Sequence, residues 1–252
     1  MTNRFEVTLN GRALTTLNDQ LYITDLQYEG SGYNDAAATI AKRDGVLLQN
    51  RYYQSTGVTV EFELHVYDPL ERHNALTDIV SWAMQGGILK TSDRPGVFLR
   101  VICEEPPLMA SAQNWTDKLA VTFVAYNPPF WQNDTPDTLT LQSGTGSLFV
   151  HGNAGDVPAD AEITAAGAIT GFTLIANDKQ ITLSGLNLAA GQKVILSHDE
   201  NGFLQIMQNG VSLMSKRTGA DELIVACQET NTLGFTATGS ASCTFSVRGR
   251  WY

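Results

Sequence analysis

The chain has 252 residues, 16 Lys+Arg against 26 Asp+Glu and a formal net charge of −10. That length allows one large domain or two ordinary ones, and 43% apolar residues are enough for a packed core, which excludes global disorder. A pI near 4.7 excludes a surface that coats DNA or RNA through clustered Lys and Arg, and no run approaches the ~20 apolar residues of a membrane helix.

Short alternating patterns at Phe5–Leu9 and Leu21–Leu26 predict strands near the N-terminus. Asp44-Gly45, between Thr39–Lys42 and Val46–Leu48, reads as a hairpin turn because Gly tolerates positive φ. Val46, Leu47, Leu48, Tyr52 and Tyr53 set large apolar side chains around that turn, where a free surface hairpin is normally polar. Two strands alone bury too little to be stable, so Ala36–Tyr53 is expected to need a partner surface. Val58–Val66 alternates strictly and puts five apolar side chains on one face.

Asp68-Pro69-Leu70-Glu71 predicts a helix start, with an acid at the N-cap, Pro at N1 and Glu three residues after the cap. Leu76, Ile79, Val80 and Ala83 follow at helical spacing, and Gly86-Gly87 closes the helix over Asp68–Gln85, which is expected to pack on the Val58–Val66 sheet. Strands at Val97–Ile102 and Leu119–Ala125 complete the first half.

The chain changes character at Asn127-Pro128-Pro129-Phe130-Trp131. Six of the eight prolines lie at or before Pro129, and 14 of the 22 glycines lie after Trp131, so a boundary is placed there, giving domains 1–131 and 132–252. The second half shows no comparable helix. Its candidate strands are Thr138–Gln142, Gly171–Ile175, Gln180–Leu183, Lys193–Leu196, Leu204–Met207, Leu223–Ala226, Leu233–Thr236 and Cys243–Val247. Turn signals at Asn177-Asp178, Asn201-Gly202 and Asn209-Gly210 separate them. Regularly spaced short strands, with 26 Thr against 6 Lys, predict a β-sandwich of about 120 residues and a mainly β protein.

Catalytic and metal-binding motifs are absent from the sequence: no H-E-x-x-H, G-x-S-x-G, phosphate-binding loop or C-x-x-C. His65, His73, His151 and His198 stand far apart, without Cys or carboxylates at metal-ligand spacing. Glu61 and Glu63 project from one strand face, but alternation accounts for both without an acid–base pair. Asp199-Glu200-Asn201-Gly202 lacks the ligand pattern of a calcium loop and reads as a tight turn. Cys103, Cys227 and Cys243 are an odd set and are expected to be reduced thiols. The segment Met1–Val7 has no charged head followed by an apolar run, so no signal peptide is expected, and the Asn114 and Asn133 sequons then carry no glycan. Tyr126, Phe130 and Trp131 are expected to pack at the domain junction, while Trp251 and Tyr252 either close the last strand or sit at an interface. No enzymatic activity, cofactor or metal is expected.

The order of these features resembles the distal tail protein family of long-tailed bacteriophages, the siphophage tail components. In the first half the resemblance rests on the Asp44-Gly45 hairpin, the strand Val58–Val66, the helix after Asp68-Pro69, the Pro95–Ile102 strand and Leu119–Ala125 running into Asn127-Pro128-Pro129-Phe130. In the second it rests on Asn153-Ala154-Gly155, Leu186–Gln192, the Asn201-Gly202 turn and the terminal Val247–Tyr252. The resemblance implies a tail-tube-like β domain with one helix, followed by a galectin-like or carbohydrate-binding-module-like sandwich. It implies a homohexameric ring at the virion tail tip, made in the bacterial cytoplasm. The implied partners are the tail tube protein, a tail-associated or baseplate protein and, in some relatives, a receptor-binding protein. It implies no catalysis, no specific nucleic-acid binding and no membrane, and a hairpin that laps onto the neighbouring subunit. Galectins hold sugar with a polar cluster and a stacking tryptophan; this second half has no matching cluster and no tryptophan before Trp251. The alternative reading is a carbohydrate-binding adhesin of a baseplate or cell surface.

Overall fold

The computed structural model describes residues 5–30, 32–38, 47–107, 117–199 and 202–252. The chain forms two compact units, Met1–Trp131 with Tyr252, and Gln132–Trp251. Both are mainly β, and among the described residues no helix is long and apolar enough to cross a membrane.

In the first unit the strands are β1 (Val7–Leu9), β2 (Arg12–Ala13), β3 (Leu21–Glu29), β4 (Tyr33–Ala38), β5 (Leu47–Tyr53) and β6 (Thr56–Leu64). The helix α1 (Pro69–Met84) follows, then β7 (Gly87–Thr91), β8 (Val97–Glu105) and β9 (Asp117–Ala125). Seven strands run antiparallel in the order β2-β1-β7-β8-β9-β6-β3. The alternation of β6 does what its pattern predicts: Val58, Val60, Phe62, Leu64 and the following Val66 are all buried.

Helix α1 begins where the cap chemistry places it. An Asp68 carboxylate oxygen accepts from the Leu70 and Glu71 N–H groups at 2.9 Å, satisfying two otherwise orphan donors. The buried stripe is Arg72, Ala75, Leu76, Ile79, Trp82 and Ala83. Val80, expected on that stripe, is only half-buried at its edge, because Trp82 takes the inward position and turns the helix to seat its ring. Trp82 stacks edge-on against Phe123 of β9 with centroids 5.8 Å apart, and its indole N–H donates to the Arg12 carbonyl at 3.0 Å. The helix packs on the sheet that contains β6, as expected, lying against its β8 and reaching β9.

After the short strand β10 (Trp131–Asn133), the second unit contains β11 (Asp137–Leu141), β12 (Gly144–Phe149), β13 (Asp156–Ala165), β14 (Ile169–Ala176), β15 (Lys179–Leu188) and β16 (Lys193–His198). It continues with β17 (Leu204–Gln208), β18 (Val211–Ser212), β19 (Arg217–Gly219), β20 (Ile224–Ala226), β21 (Thr230–Ala237), β22 (Ala241–Val247) and β23 (Arg250–Trp251). One antiparallel sheet runs β11-β22-β13-β16-β17-β18, with β20 added to β13; the other runs β12-β21-β14-β15-β19. Their inner faces bury one core that includes Phe172, Phe235, Phe245, Leu174 and Leu196. This is a two-sheet sandwich.

All eight strands predicted here form, but the most connected one, β13, was not predicted. Its inner face is Val157, Ala159, Ala161, Ile163 and Ala165, and it pairs with β22, β16 and β20.

Candidate functional site

The candidate assembly element of the first unit is the β4–β5 ribbon, which belongs to no other sheet. Its register sets Tyr33 opposite Tyr53, Asn34 opposite Tyr52, Ala37 opposite Leu48 and Ala38 opposite Leu47. Val46, the Asp44-Gly45 turn and Thr39–Lys42 lie outside the described residues. Four of the five predicted interface residues, Leu47, Leu48, Tyr52 and Tyr53, thus fall in β5, with Tyr53 its last residue.

Tyr53 anchors an aromatic cluster at the base of the ribbon. Its ring lies 4.9 Å from Tyr33, 4.7 Å from Phe130 and 6.1 Å from Tyr252, centroid to centroid. The Tyr53 and Tyr252 hydroxyls share a hydrogen bond of 2.9 Å. Arg94 stacks over Tyr28 at 4.5 Å and Trp131 at 5.1 Å, and its guanidinium donates to the Tyr252 carbonyl at 3.3 Å. The Tyr28 hydroxyl donates to the Asp93 carboxylate at 2.7 Å; burial, then that hydrogen bond, push the phenol well above its usual range, so it stays a neutral donor. Phe130 and Trp131 are buried within this unit, whereas Tyr126 is exposed. The arrangement can hold one end of a ribbon rigidly.

In the second unit the β12-β21-β14-β15-β19 sheet carries an open groove of about 450 Å³ on its outer face. A row of threonines crosses it, because Thr173 pairs with both Thr182 and Thr236, and Thr182 with Thr218. Thr173 and Thr182 share a 3.0 Å hydrogen bond, and the Thr170 hydroxyl donates to Thr238 at 3.1 Å. The lining is Thr, Ser, Gly, Leu and Ala apart from Phe172, whose ring is buried in the core. This groove was not predicted; the signal for it was threonine at alternate positions such as Thr236 and Thr238, which reads equally well as an ordinary solvent-facing strand. The lining offers hydroxyls but neither a charged group nor an exposed ring for a sugar to stack on. Lactose should therefore bind the full chain no tighter than millimolar in calorimetry, and a micromolar affinity would revive the adhesin reading.

The titratable residues are scattered in pairs. His65 bonds Glu63 at 3.0 Å, and Glu61 accepts from the Gln27 amide at 2.7 Å, so these two carboxylates are not a free acid–base couple. His151 pairs with Asp137 and His198 with Asp160, each at 2.8 Å, and His73 is exposed on α1. The Asp199 carbonyl accepts from the Gly202 N–H at 3.0 Å and its carboxylate from the Phe203 N–H at 2.9 Å; Glu200 and Asn201, the middle of the expected turn, lie outside the described residues. Among the described residues no group of three His, Cys, Asp or Glu side chains is arranged to hold a metal. The three cysteines are free thiols; burial pushes Cys243 up to about 12, and it lies opposite Leu141 and Ile163. Of the two sequons, Asn114 lies outside the described residues. The Asn133 amide is engaged at both ends, donating to the His151 carbonyl at 2.7 Å and accepting from the Trp251 indole at 2.6 Å.

No protein-family model matches the chain, and no curated protein matches it in sequence. Solved structures do. The SPP1 Dit protein, a paradigm of the hub adsorption apparatus in phages that infect Gram-positive bacteria, superposes with a TM-score of 0.74 over 97% of this chain and 98% of that one, at 12% identity. This chain has a Dit-like fold. A chain of the phage P2 baseplate in its activated conformation with Ca matches at TM-score 0.55 and 9% identity, covering 99% of this chain and 98% of that one. A chain of the phage p2 baseplate in its activated conformation with Sr matches at 0.54 and 8%, with 97% of both chains covered. The Dit-like match covers residues of both units, not the sandwich alone.

Proposed function

We propose that this chain is a structural hub subunit of a long-tailed bacteriophage tail tip, a distal tail protein. In this reading six copies form a ring, one face continuing the tail tube and the other holding the tail-associated or baseplate protein. The first unit builds the ring, and the second projects as a platform that receives a receptor-binding protein in some relatives. The observation that carries the reading is the near-complete superposition on SPP1 Dit, itself a hub protein. The acidic balance supports a conduit that DNA crosses without sticking, since like charge lowers nonspecific retention. No catalysis, cofactor, specific nucleic-acid contact or membrane contact is assigned, and synthesis is placed in the bacterial cytoplasm with final location in the virion.

The β4–β5 ribbon is assigned the role of intersubunit belt, because it is a two-stranded sheet of its own and such ribbons need a covering surface to persist. Two measurements test this. Purified full-length protein should show ring-shaped particles by electron microscopy and a concentration-dependent mass rising to six times 27.4 kDa. Replacing Val46 and Leu48 together with Ser should shift that mass toward monomer while the circular dichroism spectrum stays native. A ring that persists, or a monomer that unfolds, would assign the ribbon to its own subunit instead.

A further inference from the structure

The chain contains three Asn-Gly dipeptides, Asn10-Gly11, Asn201-Gly202 and Asn209-Gly210, of which Asn201 lies outside the described residues. The other two adopt nearly the same backbone. Asn10 has φ 52° followed by Gly11 at 79°, and Asn209 has φ 47° followed by Gly210 at 80°. Each forms the two-residue turn of a hairpin, joining Leu9 to Arg12 across β1–β2 and Gln208 to Val211 across β17–β18.

What separates them is the fate of the carboxamide. Asn10 is locked onto the segment that follows α1: its Oδ1 accepts from the Ile88 N–H at 2.9 Å and its Nδ2 donates to the Gly86 carbonyl at 2.8 Å. The Asn10 backbone N–H also donates to the Ile88 carbonyl at 2.8 Å. Asn209 and Gly210 are exposed, the space beside the Gly210 Cα is open, and among the described residues nothing hydrogen-bonds the Asn209 side chain.

We propose that Asn209 is a site of spontaneous deamidation and that the contacts of Asn10 with residues 86 and 88 hold the otherwise equivalent Asn10-Gly11 turn unreactive. The Gly210 amide nitrogen loses its proton to solvent and attacks the Asn209 Cγ; the new N–C bond closes a succinimide as the Cγ–Nδ2 bond breaks and ammonia leaves with the returned proton. Water then opens the ring at either carbonyl, leaving an α-linked or a β-linked aspartate. No oxidant or reductant is involved. Gly at the following position matters because it has no Cβ to obstruct the attack. Both products add a negative charge, and the β-linked one also adds a backbone atom to a turn whose two residues set the register of β17 with β18. The edge strand β18 therefore detaches as the protein ages.

The test is incubation of the folded full-length protein in mildly alkaline buffer, with site-resolved peptide mass spectrometry over time. Conversion at Asn209 should outpace that at Asn10 roughly tenfold or more, since Asn10 must first give up two side-chain hydrogen bonds. In urea, where both turns are unfolded, the two rates should approach each other. Equal rates in the folded protein overturn the proposal, as does a rate gap that persists undiminished in urea, because the protection would then come from neighbouring sequence and not from the fold. A Gly210→Ala variant should slow conversion at Asn209 and leave Asn10 unchanged; unchanged conversion at Asn209 counts against the proposed attack.

Discussion

Replacing Gly249 with Ala is expected to destabilise the second unit by about 3 kcal/mol or more and to lower its melting temperature by roughly 10 °C. A Cβ at this position would overlap the His151 carbonyl oxygen, which is backbone and has no side-chain freedom with which to yield. That oxygen already accepts from the Asn133 amide at 2.7 Å, while the Asn133 N–H donates to the Gly249 carbonyl at 3.0 Å. Next door, Asn153 and Ala154 donate to the Arg250 carbonyl at 2.8 and 3.1 Å, and the Trp251 indole donates to Asn133. Moving Gly249 away from His151 strains all of these bonds together, and each that is lost leaves a donor or acceptor needing a new partner. Gly167 provides the comparison: nothing lies within 4 Å of its hypothetical Cβ and its φ is unexceptional, so Gly167→Ala should stay within about 0.5 kcal/mol of the parent. Differential scanning calorimetry of the two variants would check this. An unchanged transition for Gly249→Ala would mean that the strands do not approach as closely as described.

Ile79→Asp should be as damaging to the first unit. Ile79 is 0% exposed on the inner face of α1, so an Asp there must either bury a charge or take up a proton. A loss of several kcal/mol is the scale expected for an uncompensated buried carboxylate. Val80→Asp, one residue on, should cost only about 1 kcal/mol, because Val80 sits at the half-buried edge of the stripe and a carboxylate there reaches water. Thermal melts followed by tryptophan fluorescence should separate the two variants clearly. Similar losses would show that the helix presents the face its apolar spacing alone suggests.

That pair of variants also marks where the sequence was legible. The cap of α1, the alternation of β6 and the eight predicted strands of the second unit are local signals, and the structure contains all of them. The rotation of α1 is set by Trp82 meeting Phe123 and the Arg12 carbonyl, partners 41 and 70 residues away that no helical spacing encodes. Strand β13 was hidden by its composition. Its inward side chains include three alanines, a residue depleted in strands, and Pro158 ordinarily argues against a strand interior. Here Ala161 lies opposite Phe245 on one side and Leu196 on the other, so methyl groups fit between large neighbours. The aromatic cluster around Tyr53 was equally out of reach, because Tyr252 arrives from a position 199 residues later in the chain. The groove beside Thr173 depends on which threonines become neighbours, and that is decided by strand order alone.

Strand order also dictates when each unit can take shape during synthesis. The seven strands of the path β2-β1-β7-β8-β9-β6-β3 have all been made by Ala125. In the second unit the earliest strands wait for the latest: β11 pairs with β22, 104 residues apart at Thr140 and Thr244, and β12 pairs with β21. Closing such long loops carries its entropic cost before any contact compensates it. The ribosome thus releases the seven main strands of the first sheet, followed by more than half a sandwich with no partner for its outer strands. Until residues 241–247 emerge, both β11 and β13 expose an edge that β22 will later cover. A chain halted before that point has no smaller sandwich to fall back on, and its open edges are templates for pairing with other nascent chains.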